Sequence, residues 1–486
     1  MPIPEKWQPY LLREQSLRDV EAKIARQPQD ATSQCDRARL LTELGRTDEA
    51  RQAYLDILAF DPTHFRALNN LGALLHDTGY RTAARTAYAE AVARHPDQPV
   101  GHVNLANTLR EGGEIETALL HFEKALQLLP GYVEAHRGMS HIFRDLGDED
   151  KARYHRRLGF AGDAVSVLPY RGSGQPIFAI MLISAAGGNL PIRHLLDDRV
   201  FHVTVIVAEF FDLASPLPPH QLFINAVGDA DLCAEALDAA FQIIALSAAP
   251  IINHPRAVSL TGRAANARRL GSVPGVVAPT IVTLPRADFA APDAADVLAR
   301  QELFFPLLLR SSGYHTGLHF LKVDDRTQLG PAAASLPGAE LVAIQFLDAR
   351  GIDQKIRKYR VMAIQGNLYP LHAAVSSHWK IHYFSAEMAD SPEHRAEDAA
   401  FLNDMPGVLG PRAMAALEAI RDALGLDYAG VDFSLNDRGD ILLYEANANM
   451  IVPMPEAGEV WAYRRGPVMR VYDAIWKLLT EAAPSA

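Results

Sequence analysis

The sequence is poor in cysteine, in long apolar runs and in positive charge. Only two of its 486 residues are cysteines, Cys35 and Cys233, too few for a disulfide framework or a cysteine-based zinc site. There is no run of 18 apolar residues, and the amino-terminal residues lack the apolar segment of a signal peptide. The formal net charge of −11 gives no electrostatic reason to expect nucleic-acid binding. We therefore expect a cytoplasmic protein that does not span a membrane.

The composition is that of a folded protein with more than one domain. Apolar residues make up 49% of the chain and charged residues 22%, as in ordinary globular proteins. A chain of 486 residues is too long for one hydrophobic core and predicts about three domains.

Residues of the same type recur every 34 positions in the first third of the chain. The recurring glycines are predicted to end the first helix of each repeat in a left-handed backbone conformation. The prolines are predicted to end the second helix, since proline cannot continue the hydrogen-bond ladder. Small residues would let the two helices approach, with aromatic side chains between them. The recurring positions are Pro28, Pro62, Pro96 and Pro130; Gly45, Gly79, Gly113 and Gly147; Ala50, Ala84, Ala118 and Ala152; Tyr54, Tyr88 and Phe122; and Ala38, Gly72, Ala106 and Ser140.

This pattern resembles the tetratricopeptide family over about residues 28–160 and implies an all-α solenoid at residues 1–160. In that family the first helix of each repeat lines a concave groove, so the resemblance also implies a peptide or protein partner. Side-chain amides in the groove could pair with the backbone of an extended peptide, and a plain solvated helix face is the alternative. The candidate groove residues are Asn70, Asn104, Asn107, Arg110 and Arg137.

A different pattern begins after a junction at residues 161–175 that is rich in glycine, proline and serine. Apolar runs such as residues 178–184 alternate with loops and amphipathic segments, which predicts a small doubly wound α/β domain over residues 176–254. Gly187 and Gly188 follow the first predicted strand. Paired glycines after a strand are more often a packing feature than a nucleotide site.

Residues 430–450 predict a hairpin with its turn at residues 436–439. Side-chain alternation places Asp432 on one strand, and Glu445 and Asn447 on the same face of the other. Magnesium prefers such oxygen ligands together with substrate phosphates, so the hairpin predicts a Mg²⁺ site. A surface hairpin with chance polar residues is the alternative.

The spacing of these three residues resembles the metal-binding hairpin of the ATP-grasp enzymes, in particular glutathione synthetase and the ribosomal-protein glutamate ligases. The resemblance covers about residues 250–475. It implies a multidomain chain in which an α/β pre-ATP-grasp domain at residues 176–254 precedes an α+β ATP-grasp catalytic domain at residues 255–480. It also implies ATP and Mg²⁺ as cofactors.

The resemblance assigns further residues to the nucleotide and the substrate. In the family a glycine-bounded loop and a preceding cation meet the ATP phosphates, a hinge strand pairs with adenine, and an arginine meets the transferred phosphate or the substrate carboxylate. This sequence has arginine where the family usually has lysine; arginine keeps the charge but is not a compact point charge. The residues carried over are Arg263, Arg310, Gly313 and Gly317 for the phosphates, Gln345, Phe346 and Leu347 for adenine, Arg310 and Arg360 for catalysis, and His378, Lys380 and Asn449 for the substrate.

The implied activity is that of a carboxylate–amine ligase. A substrate carboxylate would attack the γ-phosphate of ATP to give an acyl phosphate and ADP, and an amine would then displace phosphate. The adjoining repeats suggest that one substrate is a peptide or amino acid presented by the solenoid. Two alternatives stay open: a nucleotide-binding scaffold whose arginine substitutions have removed catalysis, and a kinase that acts on a stable acceptor.

Overall fold

The chain divides into two compact units. In the computed structural model of the protein the described residues are 8–44, 46–311, 319–381, 388–455 and 459–483. The first unit comprises residues 1–144, 148–176 and 197–202, and the second comprises residues 145–147, 177–196 and 203–486. A helical repeat region followed by a mixed α/β region with several sheets confirms the predicted order of fold classes.

The first unit is a series of antiparallel helices with a 34-residue repeat. Its elements are α1 (Gln8–Arg26), α2 (Ala31–Glu43), α3 (Thr47–Phe60), α4 (Phe65–Asp77), α5 (Arg81–Arg94), α6 (Pro99–Glu111), α7 (Ile115–Leu128), α8 (Val133–Asp145), α9 (Glu149–Phe160) and the short strand β1 (Val165–Val167). Each recurring proline lies two residues beyond the end of α1, α3, α5 or α7. Gly79, Gly113 and Gly147 have the predicted left-handed φ angles of +86°, +82° and +79°. Gly45 lies outside the described residues.

Close contacts between small and aromatic residues join the helices of the solenoid. Tyr54, Tyr88 and Phe122 are buried, and so are the small residues of the 34-residue series. A β-carbon added at Gly72 would lie 2.7 Å from Cε1 of Tyr88, and one added at Gly138 would lie 2.1 Å from Cζ of Phe122. The backbone of these two helices therefore approaches an aromatic ring more closely than any side chain would allow.

We expect Gly138→Ala to lower the free energy of unfolding of the first unit by about 1–3 kcal/mol, because the new methyl group must displace the buried ring of Phe122. Denaturant unfolding followed by circular dichroism at the helical band measures the loss. Gly131→Ala is the matched control, since a β-carbon there would meet no atom within 4 Å. Equal stability of the two variants would contradict the packing argument.

The described part of the second unit is organised around three β-sheets. Strands β2 (Ile177–Ile183), β3 (Phe201–Val207), β4 (Leu222–Asn225) and β5 (Ile251–Ile252) belong to the first sheet, in the order β3-β2-β4-β5, and β4 is parallel to β2 and β5. The other strands are β6 (Val276–Val277), β7 (Ile281–Pro285), β8 (Leu307–Ser311), β9 (Phe320–Val323), β10 (Glu340–Gln345), β11 (Ile356–Ile364), β12 (Asn367–Ser376), β13 (Tyr428–Leu435) and β14 (Ile441–Asn447). The second sheet has the order β7-β10-β8-β9 and the third the order β12-β11-β13-β14-β6.

Helices cover these sheets and bury their apolar faces. They are α10 (Ala234–Ile244), α11 (Pro255–Ser259), α12 (Arg263–Leu270), α13 (Ala294–Arg300), α14 (Arg326–Ser335), α15 (Pro392–Asn403), α16 (Met405–Leu424) and α17 (Ala462–Glu481). The largest part of the core lies between the third sheet and α16, where side chains such as Phe433, Leu417 and Ile420 are fully buried. Among the helices of the described residues, none combines the length and apolar character needed to cross a lipid bilayer.

The hairpin predicted near the end of the chain is present as β13 and β14. The two strands are antiparallel, and Gly439 closes the turn with φ = +74°. Asp432 lies opposite Glu445 across the hairpin, and Arg360 of β11 lies opposite Asp432 on its other side. Arg360, Asp432 and Glu445 therefore form one row across three neighbouring strands.

Candidate functional site

Two cavities of the second unit share a wall. We name them by their linings: the hinge cavity, of about 330 Å³, includes Gln345, Phe346 and Leu347, and the acidic cavity, of about 360 Å³, includes Asp229 and Asp231. The residues that face both cavities are Arg263, Pro279, Lys358, Arg360, Tyr444 and Glu445.

The shared wall is held by a buried cluster of charges around Asp432. Arg360 donates from Nε to Oδ1 of Asp432 at 2.6 Å and from Nη2 to Oδ2 at 2.8 Å. Lys358 lies two residues before Arg360 on the same face of β11, and its Nζ is 2.6 Å from Oδ2. Burial by itself would raise the pKa of Asp432, but the charges of Arg360 and Lys358 outweigh it and hold that pKa well below its usual range. Asp432 is therefore ionised and fixes both cations.

Glu445 is less tightly held than Asp432. Its Oε1 accepts from Nη2 of Arg263 at 3.2 Å and from Nδ2 of Asn447 at 3.0 Å. Oδ1 of Asn447 accepts from the backbone N–H of Asn449 at 2.9 Å. Burial disfavours the charge of Glu445, yet Arg263 lowers the pKa below its ordinary value. Glu445 keeps 32% of its side chain exposed, against 2% for Asp432.

The predicted metal ligands are brought together, and their chemistry fits a hard cation. Two carboxylates and one amide supply oxygen donors, as Mg²⁺ requires. Oε2 of Glu445 makes no hydrogen bond to any described residue, whereas both oxygens of Asp432 contact cations. Within the described ranges no cluster of three or more His, Cys, Asp or Glu side chains could hold a metal ion. The carboxylate of Asp432 already pairs with Lys358 and Arg360. A cation bound by Glu445 and Asn447 would therefore have to share that carboxylate with them.

Arg310 of β8 lines the hinge cavity. Burial, followed by the neighbouring charge of Arg263, lowers its pKa to about 10, so the side chain stays positive at neutral pH. Its guanidinium lies 5.8 Å from the centroid of the Phe320 ring. Gly313 and Gly317, predicted for the loop after this strand, lie outside the described residues.

Aromatic side chains also line the hinge cavity. Gln345, at the end of β10, donates its backbone N–H to the carbonyl of Thr280 at 2.9 Å, and its Oε1 accepts from the N–H of Thr280 at 3.1 Å. The indole of Trp379 lies edge-on to the rings of Phe346 and Phe320, with centroids 6.5 Å and 5.6 Å away. The hinge cavity is therefore lined by aromatic and aliphatic side chains as well as by cations.

Two carboxylates of the acidic cavity, besides that of Glu445, lie in the loop after β4. Oδ1 of Asp229 accepts from the N–H groups of Asp231 and Leu232, both at 3.0 Å. Oδ2 of Asp231 accepts from the backbone N–H of Arg263 at 2.9 Å, and burial raises the pKa of Asp231. The backbone thus fixes both carboxylates at the edge of the cavity.

Most of the predicted site residues of the second unit face one of these cavities. His378 does not: it is exposed and lines neither cavity, while Lys380 lines the hinge cavity and donates to the carbonyl of Phe320 at 3.3 Å. The predicted residues in the hinge cavity are Arg263, Arg310, Gln345, Phe346, Leu347, Arg360, Lys380, Asp432 and Glu445, and those in the acidic cavity are Arg263, Arg360, Glu445, Asn447 and Asn449.

Sequence reasoning missed four residues of this site: Lys358, Asp229, Asp231 and Trp379. Lys358 was detectable, because alternation along a strand places it on the face of Arg360. The two aspartates come after a buried strand, and ligands of parallel sheets gather at that edge. No local pattern marks Trp379, because its neighbours Phe346 and Phe320 are distant in sequence.

The predicted groove residues Asn104 and Arg137 of the first unit have different kinds of hydrogen-bond partner. Asn104 donates from Nδ2 to Oδ1 of Asn69 at 2.8 Å, so amides of α4 and α6 are joined. Arg137 does not join this set. Its Nε donates to the carbonyl of Gly159 at 2.7 Å, its Nη2 is 2.5 Å from Oδ2 of Asp163, and its guanidinium lies 4.6 Å from the Phe160 ring centroid. Arg137 therefore links α8 to the carboxyl-terminal end of α9.

A comparison with known protein families agrees with the helical repeats. The family profile described as tetratricopeptide repeat matches residues 13–65, 35–99 and 70–133, so the amino-terminal region contains tetratricopeptide repeats. The structure of MamA from Desulfovibrio magneticus RS-1 is 20% identical and covers 32% of this chain and 92% of its own, with a TM-score of 0.27. The structure of Pseudomonas aeruginosa PilF is 21% identical and covers 32% of this chain and 70% of its own, with a TM-score of 0.29. No match was found among curated proteins.

We expect Asp432→Asn to lower the free energy of unfolding by about 3–5 kcal/mol, because two buried cations would lose their counter-charge. Glu445→Gln is expected to cost about 1 kcal/mol or less, since its side chain is partly exposed and makes a single ion pair with the described residues. Denaturant titration of the full chain measures both. Equal losses would show that Asp432 does not anchor the wall.

Proposed function

We propose that the second unit is an ATP-grasp domain that uses ATP and Mg²⁺ to join a carboxylate to an amine. The wall shared by the hinge cavity and the acidic cavity is the observation that carries this proposal. Lys358, Arg360 and Glu445 face both cavities. A phosphoryl group that passes from a nucleotide in one cavity to a substrate in the other must cross such a wall.

The hinge cavity suits ATP in shape and charge. Its volume of about 330 Å³ is typical of ligand cavities. The aromatic and aliphatic end beside Phe346 and Trp379 would hold the flat base, and the backbone of residues 345–347 would pair with its edge. Arg310, Lys358 and Arg360 would meet the phosphates at the other end.

Glu445, Asn447 and Asp432 would hold Mg²⁺ next to these phosphates. When bound, the ion supplies positive charge that neutralises the β- and γ-phosphates as the bond to the leaving group breaks. Arg360 would orient the substrate carboxylate and the transferring group, because a guanidinium binds either one through two parallel hydrogen bonds.

The acidic cavity suits a pair of substrates of opposite charge. Arg360 offers a partner to a carboxylate, while Asp229 and Asp231 offer partners to an amine. An attacking amine must lose a proton, and a carboxylate with a raised pKa, such as that of Asp231, is a stronger base than an ordinary one. The amine bound by Asp229 and Asp231 would thus be positioned to attack an acyl phosphate formed at Arg360. We further propose that the repeats present a peptide as one substrate, which would raise its local concentration.

Two other functions differ from this one in their products. A scaffold would bind ATP without turning it over, and a kinase would leave the phosphate on its acceptor. The positive charge that Arg310 keeps despite burial supports nucleotide binding in all three cases. Asp229 and Asp231 of the acidic cavity favour the ligase, since a kinase has no need of an amine subsite.

The first test is ATP turnover by the full chain with Mg²⁺ and pools of amino acids and peptides. We expect Glu445→Gln to lower the rate of ADP release by about a hundred-fold or more, because the charge that holds Mg²⁺ at the phosphates is removed. Glu418→Gln, on an exposed face of α16, is the control and should leave the rate unchanged.

The products of the same reaction decide between the alternatives. ADP, free phosphate and an amide support the ligase, and phosphate retained on an acceptor identifies a kinase. Tight ATP binding without turnover in any acceptor pool indicates a scaffold. A rate that is the same in Glu445→Gln as in the unmodified chain contradicts the metal assignment.

Arg310→Met is expected to weaken ATP binding about ten-fold or more, because a buried charge-assisted hydrogen bond contributes about 1.5–3 kcal/mol. Arg310→Lys should retain part of the affinity, since lysine keeps the positive charge but lacks the paired N–H groups of the planar guanidinium. Isothermal titration calorimetry with a non-hydrolysable ATP analogue measures both. Arg326→Met, at a largely exposed site, is the control, and equal losses in it would point to a general charge effect.

A further inference from the structure

Arg263, the first residue of α12, is paired with Glu445, one of the predicted metal ligands. Nη2 of Arg263 donates to Oε1 of Glu445 at 3.2 Å. The same oxygen accepts from Nδ2 of Asn447 at 3.0 Å, while Oδ1 of Asn447 accepts from the backbone N–H of Asn449. A metal ion shared by Glu445 and Asn447 must lie on the side of the carboxylate that faces Asn447, which is the side of Oε1. Arg263 and such a metal ion would therefore need the same oxygen.

Hydrogen bonds hold the start of α12 in place, so the side chain of Arg263 can move while its backbone does not. Oδ2 of Asp231 accepts from the backbone N–H of Arg263 at 2.9 Å. A β-carbon at Gly262 would lie 2.8 Å from Oδ1 of Asp231, so this close approach requires glycine. Three residues further along α12, Nδ2 of Asn266 donates to the backbone of β14 at 2.6 Å. The guanidinium can thus leave Glu445 by rotation about side-chain bonds alone.

The ion pair of Arg263 with Glu445 is easier to exchange than the pairs of Asp432. Arg263 and Glu445 keep 23% and 32% of their side chains exposed, whereas Asp432 keeps 2% and pairs with two cations. Partly exposed ion pairs are weak because water competes for both partners, and buried ones are costly to break. A divalent metal ion attracts a carboxylate more strongly than a guanidinium does, because it carries twice the charge on a smaller ion. Of the two carboxylates, Glu445 is thus the one whose cation a metal ion can displace.

We propose that Arg263 is a displaceable counter-ion of Glu445: a divalent metal ion that binds Glu445 and Asn447 replaces it and frees it for the nucleotide phosphates. Arg263 lines both cavities, so the released guanidinium stays beside the hinge cavity. A nucleotide that arrives without a metal ion meets one free cation fewer, so metal and nucleotide favour each other's binding. This inference rests on the proposed function, because it takes the hairpin as the Mg²⁺ site.

Titration of the full chain with Mn²⁺ in the absence of nucleotide tests the proposal, with the free ion followed by electron paramagnetic resonance. We expect Arg263→Gln to bind Mn²⁺ about five-fold more tightly than the unmodified chain, because the metal ion no longer competes with an ion pair. Arg268→Gln is the matched control. It removes the same charge from an exposed position of α12 and should change the affinity by about two-fold or less. Glu445→Gln should bind Mn²⁺ about ten-fold more weakly or worse, since a charged ligand is lost.

Chemical modification of arginine distinguishes displacement from a general charge effect. The full chain is treated with phenylglyoxal, which reacts with accessible guanidinium groups, with and without Mn²⁺, and modified peptides are measured by mass spectrometry. We expect Mn²⁺ to speed the modification of Arg263 about three-fold or more, because its partly exposed ion pair with Glu445 is broken, and to leave that of Arg268 unchanged. In Glu445→Gln, Arg263 should react rapidly without metal and show no response to Mn²⁺.

The outcomes separate this inference from the proposed function. Mn²⁺ binding that depends on Glu445 but leaves the reactivity of Arg263 unchanged would overturn the inference alone, because the metal ion would then use Oε2 and leave the ion pair intact. An equal gain of affinity in Arg263→Gln and Arg268→Gln would also overturn it. Absence of Glu445-dependent binding in every variant would overturn the metal assignment and this inference with it. Arginine modification uses the unmodified chain, so the proposal stays testable even if Arg263→Gln fails to fold.

Discussion

The ion pairs of Asp432 are the constraint on which the second unit's site depends. This carboxylate lies in the middle strand of the row that runs from Arg360 to Glu445, with 2% of its side chain exposed. Both of its oxygens contact cations at 2.6–2.8 Å. Long side chains such as Lys358 and Arg360 have many rotamers when free, and the buried carboxylate reduces them to one arrangement. The shared wall of the two cavities is ordered for this reason.

Burying such a cluster contributes little to net stability, because desolvation offsets the Coulomb attraction. The cluster matters for binding because the side chains around the cavity have a net positive charge. The lining of the hinge cavity carries five cations, Arg263, Arg310, Lys358, Arg360 and Lys380, against two carboxylates, Asp432 and Glu445. This excess of three positive charges surrounds a cavity from which water is partly excluded, where attraction for a polyphosphate is stronger than at the surface.

Regular repetition and alternation explain what could be predicted from the sequence. The 34-residue period located the helices of the first unit. Each proline or left-handed glycine ends a helix through its own local backbone conformation, so no distant contact is needed to predict it. Alternation located the hairpin and the row that includes Asp432 and Glu445. Asp229 could not be placed in the same cavity as Arg360 in this way, since Asp229 lies in a loop after a strand of the first sheet and Arg360 in a strand of the third. For Arg137 the repeat register predicts a position in the groove, but it could not predict the hydrogen bond to the carbonyl of Gly159 on α9.

The two units hold their arginines in opposite ways, and the difference bears on what each can bind. Arg360 is satisfied within the protein and keeps its place whether or not a ligand is present. Arg110 has no hydrogen-bond or ion-pair partner among the described residues, and its Nε is buried. A preorganised cation suits a step in which charge moves between bound groups, because no reorganisation is needed as the charge develops. An uncompensated cation suits recognition, because a neutral ligand leaves it unpaired and an anionic one does not.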